Sequence, residues 1–423
     1  MLQKLRRAVV GCFLALVIFT SSGVFSSCSF GNTSQSQSQQ QEQSSNSSIS
    51  DSEQSSGSSD SSDGQQGEDG VKFTFTVDAS KLHTNLQLSY LSDSYENVSK
   101  YADGTKELSK SQPIRFKWQS SQTATNCELK ISENENLSNA KTFSVKTKEI
   151  KISNLKVGTK YYYQMTATVA GKTVTSEVKS FTTGSFLPRL IDCDGVTNMR
   201  DLGGYNVDGG VVKQGLVYRS GRFNESYVNT INVEVTEKGM ETLRELGIKT
   251  EIDLRTTVHD YNELGGYEKL DVGPLGEDVN YYKCPMIYKS LDGSDSVHTP
   301  ARPQNYAEIR KIFAYFADES NYPLVFHCNI GTDRTGYISY LLNGMLGVSK
   351  EDLFRDYLFS NFGNIGGSRG LSRISDYVDA IDACEGATLA EKVETYLTQT
   401  IGVPQENIDK IREIMIEKNI VAV

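Results

Sequence analysis

Residues 323–346 confine the possible fold more than any other stretch of this chain. Pro323-Leu324-Val325-Phe326-His327 is an apolar run of strand length. Arg334 to Leu346 then reads as a helix apolar on most faces, through Tyr337, Ile338, Tyr340, Leu341, Leu342 and Met345. A helix of that kind is buried. The same alternation surrounds it. Thr236 to Leu246 reads as an amphipathic helix, Lys249 to Leu254 as a short strand and Tyr306 to Phe316 as a helix, while Ser349 to Asp352 resembles a capping box opening another. Strands alternating with helices predict an α/β domain, residues 185–423, around a central mostly parallel sheet covered on both faces.

The chain has 423 residues, too many for one ordinary core, so two or three domains are expected. From 71 to 184 the texture is that of strands: Ile114, Phe116 and Trp118 share one face, Ile150 and Ile152 repeat the period, as do Tyr161, Tyr163, Met165 and Ala167, then Val174 and Val178. Period-two alternation broken by regular turns predicts an antiparallel β-sandwich. Residues 28–70 are nearly all Ser, Gln, Asn, Gly, Asp and Glu. Such a tether cannot bury enough apolar surface to order itself, and as a flexible coil it would span roughly 35 Å. The formal net charge of −10 argues against a nucleic-acid partner, since phosphate backbones are held by clustered Lys and Arg.

The chemistry concentrates in the turn between the apolar strand and the buried helix. Cys328 and Arg334 bracket Asn329, Ile330, Gly331, Thr332 and Asp333. Five residues between Cys and Arg can curl so that successive backbone N–H groups converge on one point, and the following helix adds its own N–H groups and positive dipole end. That cradle suits a tetrahedral phosphate. Gly331 permits close backbone approach, and Arg334 can grip two oxygens bidentately. The same field favours the thiolate of Cys328, whose unperturbed thiol would be only a few per cent ionised at pH 7. Asp333 is the first candidate for the acid that protonates a leaving oxygen. Its alternative is bracing the loop, and Asp253 is the second candidate acid. Thr335 can donate to the thiolate, and His327 is expected to orient the loop from behind. Neither a cofactor nor a metal is expected. The scattered Cys127, Cys193, Cys284, Cys328 and Cys384 form no metal-binding or disulfide pattern.

These residues resemble the bacterial tyrosine phosphatase family with the signature HCxxGKDRTG, from about residue 188 to the end. Further landmarks follow the family order: Asn198-Met199-Arg200-Asp201-Leu202-Gly203-Gly204, Tyr218-Arg219-Ser220, Asp253-Leu254-Arg255 and Asp356-Tyr357-Leu358-Phe359-Ser360-Asn361. The resemblance implies hydrolysis through a phosphocysteine, with the loop Asp as acid. Thr332 stands where the family usually has Lys, which turns the expectation toward phosphotyrosine proteins or small phosphomonoesters and away from polyanionic lipids. An inositol phosphate or phosphoinositide phosphatase is the alternative, and a surface adhesin a further one.

Two other resemblances concern the N-terminal half. Leu155-Lys156-Val157-Gly158-Thr159-Lys160-Tyr161 is similar to the tyrosine corner of fibronectin type III domains, and Trp118 stands at their early-strand tryptophan. Such a module is either a spacer or a binder of a ligand, glycan or cell wall. Residues 1–27, with basic Lys4, Arg6 and Arg7, the apolar stretch Ala8 to Phe19, and Val24-Phe25-Ser26-Ser27 before Cys28, resemble a lipoprotein signal. That implies acylation of Cys28, membrane anchoring and an extracytoplasmic location. The alternative is a plain secretory signal.

Overall fold

The computed structural model describes residues 70–224, 234–256, 273–288 and 298–418. The signal, Cys28 and all but the last residue of the tether lie outside the described residues.

The N-terminal body begins with β1 (Phe73–Asp78) and α1 (Asn85–Leu91). It continues through β2 (Ile114–Ser120), β3 (Ala124–Ser132), β4 (Lys141–Val145), β5 (Glu149–Ile152), β6 (Lys160–Val169), β7 (Lys172–Thr175) and β8 (Lys179–Thr182). β1, β2 and β5 form one antiparallel sheet; β4, β3, β6 and β7 form another, with β8 also paired to β6. Their inward residues share one core, where Phe116 meets Tyr163 edge-on at 4.8 Å. The alternation along β2 and β6 is what buries Ile114, Phe116 and Trp118 against Tyr161, Tyr163, Met165 and Ala167. Val178 departs from the expected period. It is 39% exposed, because it falls in the irregular link between β7 and β8 rather than in a strand. The backbone N–H of Lys156 donates to the Tyr161 hydroxyl at 3.0 Å, tying strand to turn.

The second body contains β9 (Arg200–Asp201), β10 (Asn206–Val207), β11 (Gly210–Val212), β12 (Val217–Ser220), α2 (Glu237–Glu245), β13 (Thr250–Asp253), β14 (Asn280–Lys283), α3 (Tyr306–Phe316) and β15 (Leu324–His327). After these come α4 (Asp333–Leu346), α5 (Lys350–Phe359), α6 (Ser375–Asp382), α7 (Leu389–Thr395), α8 (Gln405–Met415) and β16 (Ile416–Lys418). The central sheet runs β14-β13-β15-β12-β9, parallel except where β9 meets β12. Every residue of α4 after Asp333 is buried, as its all-round apolarity requires. Thr236 and Ser349 cap α2 and α5. The box at Ser349 differs in its second arm: Asp352 accepts the Ser349 hydroxyl at 2.6 Å.

Ser220 and Asp253 both lie level with His327 in the parallel register. The carboxyl ends of three adjacent strands therefore open on the turn after β15, the edge where α/β sheets place ligands. The last turn of α1 and residues that follow it do not stay with the β-sheets. Tyr90, Leu91, Val98 and Ala102 join the core containing α4 and α5.

Candidate active site

The loop after β15 is shaped from outside. Asn198 Nδ2 donates to the carbonyls of Ile330 at 3.2 Å and Gly331 at 3.0 Å. Arg219 Nη2 donates to the same Gly331 carbonyl at 2.7 Å. Arg222 donates to Asn329, from its backbone N–H to the carbonyl at 3.1 Å and from Nη1 to Oδ1 at 2.9 Å. Three successive carbonyls are thus turned outward. In a trans peptide the N–H lies opposite the C=O, so the N–H groups of Ile330, Gly331 and Thr332 point away from Asn198, Arg219 and Arg222. Gly331 holds φ at +71°, and a Cβ there would sit 2.5 Å from the Ser220 backbone. No other residue type fits this approach without displacing the loop.

The clamp is anchored in turn by a buried carboxylate. Asp356 receives Arg200 Nε at 2.6 Å and Arg219 Nη1 at 2.5 Å. Arg200 also donates to Asn198 Oδ1 at 2.5 Å, which fixes the amide that grips the loop. Burial alone would raise the Asp356 carboxyl, but the two guanidiniums hold it below its ordinary value. Burial and neighbouring Arg200 push Arg219 down to about 10, against the pull of Asp356 and Cys328. The landmarks at 198–204, 218–220 and 356–361 therefore converge on one object, the outer face of the loop.

Cys328, which opens this loop, is buried. His327 stands behind it, with Nε2 2.9 Å from Glu251 Oε1 and Nδ1 3.2 Å from the Cys328 carbonyl oxygen. Arg334 is buried, and its Nη1 donates to the carbonyls of Leu254 at 3.5 Å and Met286 at 3.4 Å, so the ends of β13 and β14 aim it. The Thr335 hydroxyl is buried and has no hydrogen-bond partner among the described residues, as is the case for that of Ser220. An unsatisfied buried donor costs about 1–3 kcal/mol, and both lie at the loop. Thr332 is fully buried, its hydroxyl within 3.4 Å of Asn198 Nδ2 and of the Ile330 carbonyl, so it completes the loop frame.

The two candidate acids separate. Asp333 is at the mouth, its side chain 11% exposed, within 3.4 Å of the Tyr357 hydroxyl and 3.6 Å of Arg369 Nε. Asp253 is fully buried. Burial would raise its carboxyl, but Arg255 and His327 hold it well below the usual carboxylate range. It takes Arg255 Nε and Nη2 at 2.9 Å each and the Tyr281 hydroxyl at 2.9 Å. Enclosed and paired with Arg255 and Tyr281, Asp253 is held in its charged form, whereas Asp333 keeps part of its side chain open to solvent.

Sequence reasoning missed Arg222, Arg369 and Arg373. Arg373 Nη1 donates to the Tyr288 hydroxyl at 3.3 Å. The signal for Arg369 was a glycine-rich stretch, Gly366-Gly367-Ser368-Arg369-Gly370, close after the Asn361 landmark. Asn361 holds that stretch, receiving the Arg369 N–H at 2.7 Å and donating to its carbonyl at 2.9 Å.

A model described as the tyrosine phosphatase family matches residues 191–417, more than half of the chain. A tyrosine-protein phosphatase sequence of Cupriavidus necator is 29% identical over 189 residues, covering 40% of this chain and 62% of the relative. A tyrosine-protein phosphatase of Nostoc commune is 26% identical over 144 residues, 32% of this chain and 48% of the relative. The chain thus spans less than two thirds of either relative's length. Among solved structures, P. aeruginosa TpbA in complex with pTyr superposes with a TM-score of 0.24 at 16% identity, over 49% of this chain and 90% of that one. The core catalytic domain of a PP-IP phosphatase from S. cerevisiae, in complex with citrate, gives 0.24 at 18% identity, over 40% and 86%.

Proposed function

The chain belongs to the tyrosine phosphatase family, and on that premise we propose that it hydrolyses phosphomonoesters through a phosphocysteine at Cys328. One observation carries the reading. The outward carbonyls of Asn329, Ile330 and Gly331 make the inner face of the loop a cradle of N–H groups over a buried cysteine.

The Cys328 thiolate attacks phosphorus, and an S–P bond forms as the ester P–O bond breaks. The electron pair leaves on the ester oxygen, which takes a proton from Asp333. Water then attacks phosphorus and gives its proton to the Asp333 carboxylate. The S–P pair returns to Cys328 and inorganic phosphate departs. The loop N–H groups and Arg334 stabilise the charge on the equatorial oxygens in both steps, a contribution of roughly 3–4 kcal/mol per well-placed donor. Thr335 donates to the departing thiolate. No metal enters this scheme.

Phosphotyrosine proteins or small phosphomonoesters are the proposed substrates. A second reading, inositol phosphates or phosphoinositides, is favoured by Arg369 and Arg373, which supply at the mouth some of the positive charge that Thr332 withholds. We read residues 71–184 as a fibronectin type III-like β-sandwich, supported by the two sheets over one core and by the Lys156–Tyr161 tie. Lipid attachment at Cys28 and action outside the cytoplasm are proposed from the signal-like N-terminus and the tether.

Steady-state kcat/KM for an aryl phosphate, a phosphotyrosine peptide, an inositol polyphosphate and a phosphoinositide, with chelator present, tests the scheme. Turnover should persist without divalent ions, vanish in Cys328→Ser, and leave a sulfur-linked phosphate on acid quench. Activity in Cys328→Ser, or a dependence on metal, would defeat it.

A further inference from the structure

Residues 84–112 lie between two strands of the N-terminal body, to which Ser111 and Gln112 still bond, and outside the residues the family model matches, yet the segment also makes a series of contacts with the catalytic body. The Tyr90 ring lies 5.4 Å from Phe362 and 6.2 Å from Phe359. Gly104 N–H donates to the Asn361 carbonyl at 2.8 Å, and its own carbonyl accepts from Ile365 at 2.9 Å and Gly367 at 3.2 Å. Leu108 N–H donates to the Phe362 carbonyl at 2.6 Å. Lys110 Nζ donates to the carbonyls of Cys193 and Val196.

The decisive contacts come from Glu107 and Ser109. Glu107 Oε2 accepts the Thr197 hydroxyl, and its Oε1 accepts the Ser109 hydroxyl at 2.5 Å. Ser109 Oγ in turn accepts the backbone N–H of Asn198 at 3.0 Å. Asn198 holds φ at +60°, a left-handed conformation that asparagine adopts more readily than most non-glycine residues. From that conformation its amide reaches the carbonyls of Ile330 and Gly331. The path from Ser109 to the catalytic loop is therefore two hydrogen bonds long and passes through one residue, Asn198.

We propose that Glu107 and Ser109 are positioning residues of the catalytic loop, delivered by a strap from the N-terminal half. The strap holds Thr197 and Asn198 so that the Asn198 amide keeps the loop carbonyls turned out. This rests on the phosphatase reading of the loop, and makes the N-terminal half part of the enzyme rather than a spacer.

The test uses the full chain with Ser109→Ala, Glu107→Gln and, as control, Asp103→Asn, whose carboxylate bonds to Thr105. Orthovanadate Kd and aryl phosphate kcat are measured well below the thermal midpoint. Ser109→Ala should weaken vanadate binding and lower kcat by about tenfold each, the factor one lost buried hydrogen bond represents. Ser109→Thr, which keeps the acceptor, should recover most of both, Glu107→Gln should fall in between, and Asp103→Asn should match the wild type. A merely structural strap would lower the thermal midpoint and leave the vanadate Kd of folded protein unchanged, which overturns the proposal. Wild-type protein that neither binds vanadate nor hydrolyses the ester would overturn the phosphatase reading itself, and the strap's catalytic role with it.

Discussion

Arg219 reaches across from β12 to donate to the Gly331 carbonyl at 2.7 Å, with its other terminal nitrogen on Asp356. The residue that shapes the catalytic loop is thus itself shaped by a carboxylate 137 positions further along the chain.

Asp356→Asn leaves two buried guanidiniums without their counter-charge, which should destabilise the protein by about 3–5 kcal/mol. The pH dependence has a definite sign. The folded-state pKa of Asp356 lies below its ordinary value, so its stabilisation is complete above about pH 4 and is lost as pH falls further through the depressed folded value. Asp253 behaves alike. Thermal midpoints from pH 7 down to pH 2 should fall more steeply for the wild type than for Asp356→Asn.

Gly331→Ala places a Cβ 2.5 Å from the Ser220 carbonyl oxygen in a backbone conformation with φ at +71°. Moving the loop away should reduce kcat/KM by on the order of 100-fold, comparable to losing one oxyanion donor. The fold should survive, at a cost of about 1–3 kcal/mol. Kinetics and a thermal melt on the same sample separate these effects.

Asp333→Asn should lower kcat by about 100-fold or more for esters with poor leaving groups, the usual range for losing a general acid. Esters whose leaving group is already a weak base should be nearly unaffected. A flat dependence of the mutant's deficit on leaving-group basicity would assign Asp333 to bracing, alongside Tyr357 and Arg369.

Burial pushes the thiols of Cys193 and Cys284 up to about 12, so at pH 7 their thiolate fraction is on the order of 10⁻⁵. Brief iodoacetamide treatment at that pH should leave both unmodified and alkylate Cys328, with loss of activity. Inorganic phosphate should protect Cys328. Peptide mass mapping checks each site.

The features legible without coordinates were those encoded by near neighbours. The apolar strand before Cys328, the all-apolar α4 and the alternation along β2 and β6 follow from side-chain periodicity, which local backbone geometry imposes. Cys328, Gly331 and Arg334 could be placed on one turn because a short loop leading into a helix has few conformations. The pairing of Asp253 with Arg255 and Tyr281, by contrast, was not legible, because Tyr281 comes from another strand. Asn198, Arg219 and Arg222 grip the loop from more than 100 positions away, and Ser109 acts through Asn198, itself 89 positions beyond Ser109. No periodicity announces such partners. They are set by which strands become neighbours and by the need of every buried donor and carbonyl for a counterpart, and that is decided only when the chain packs.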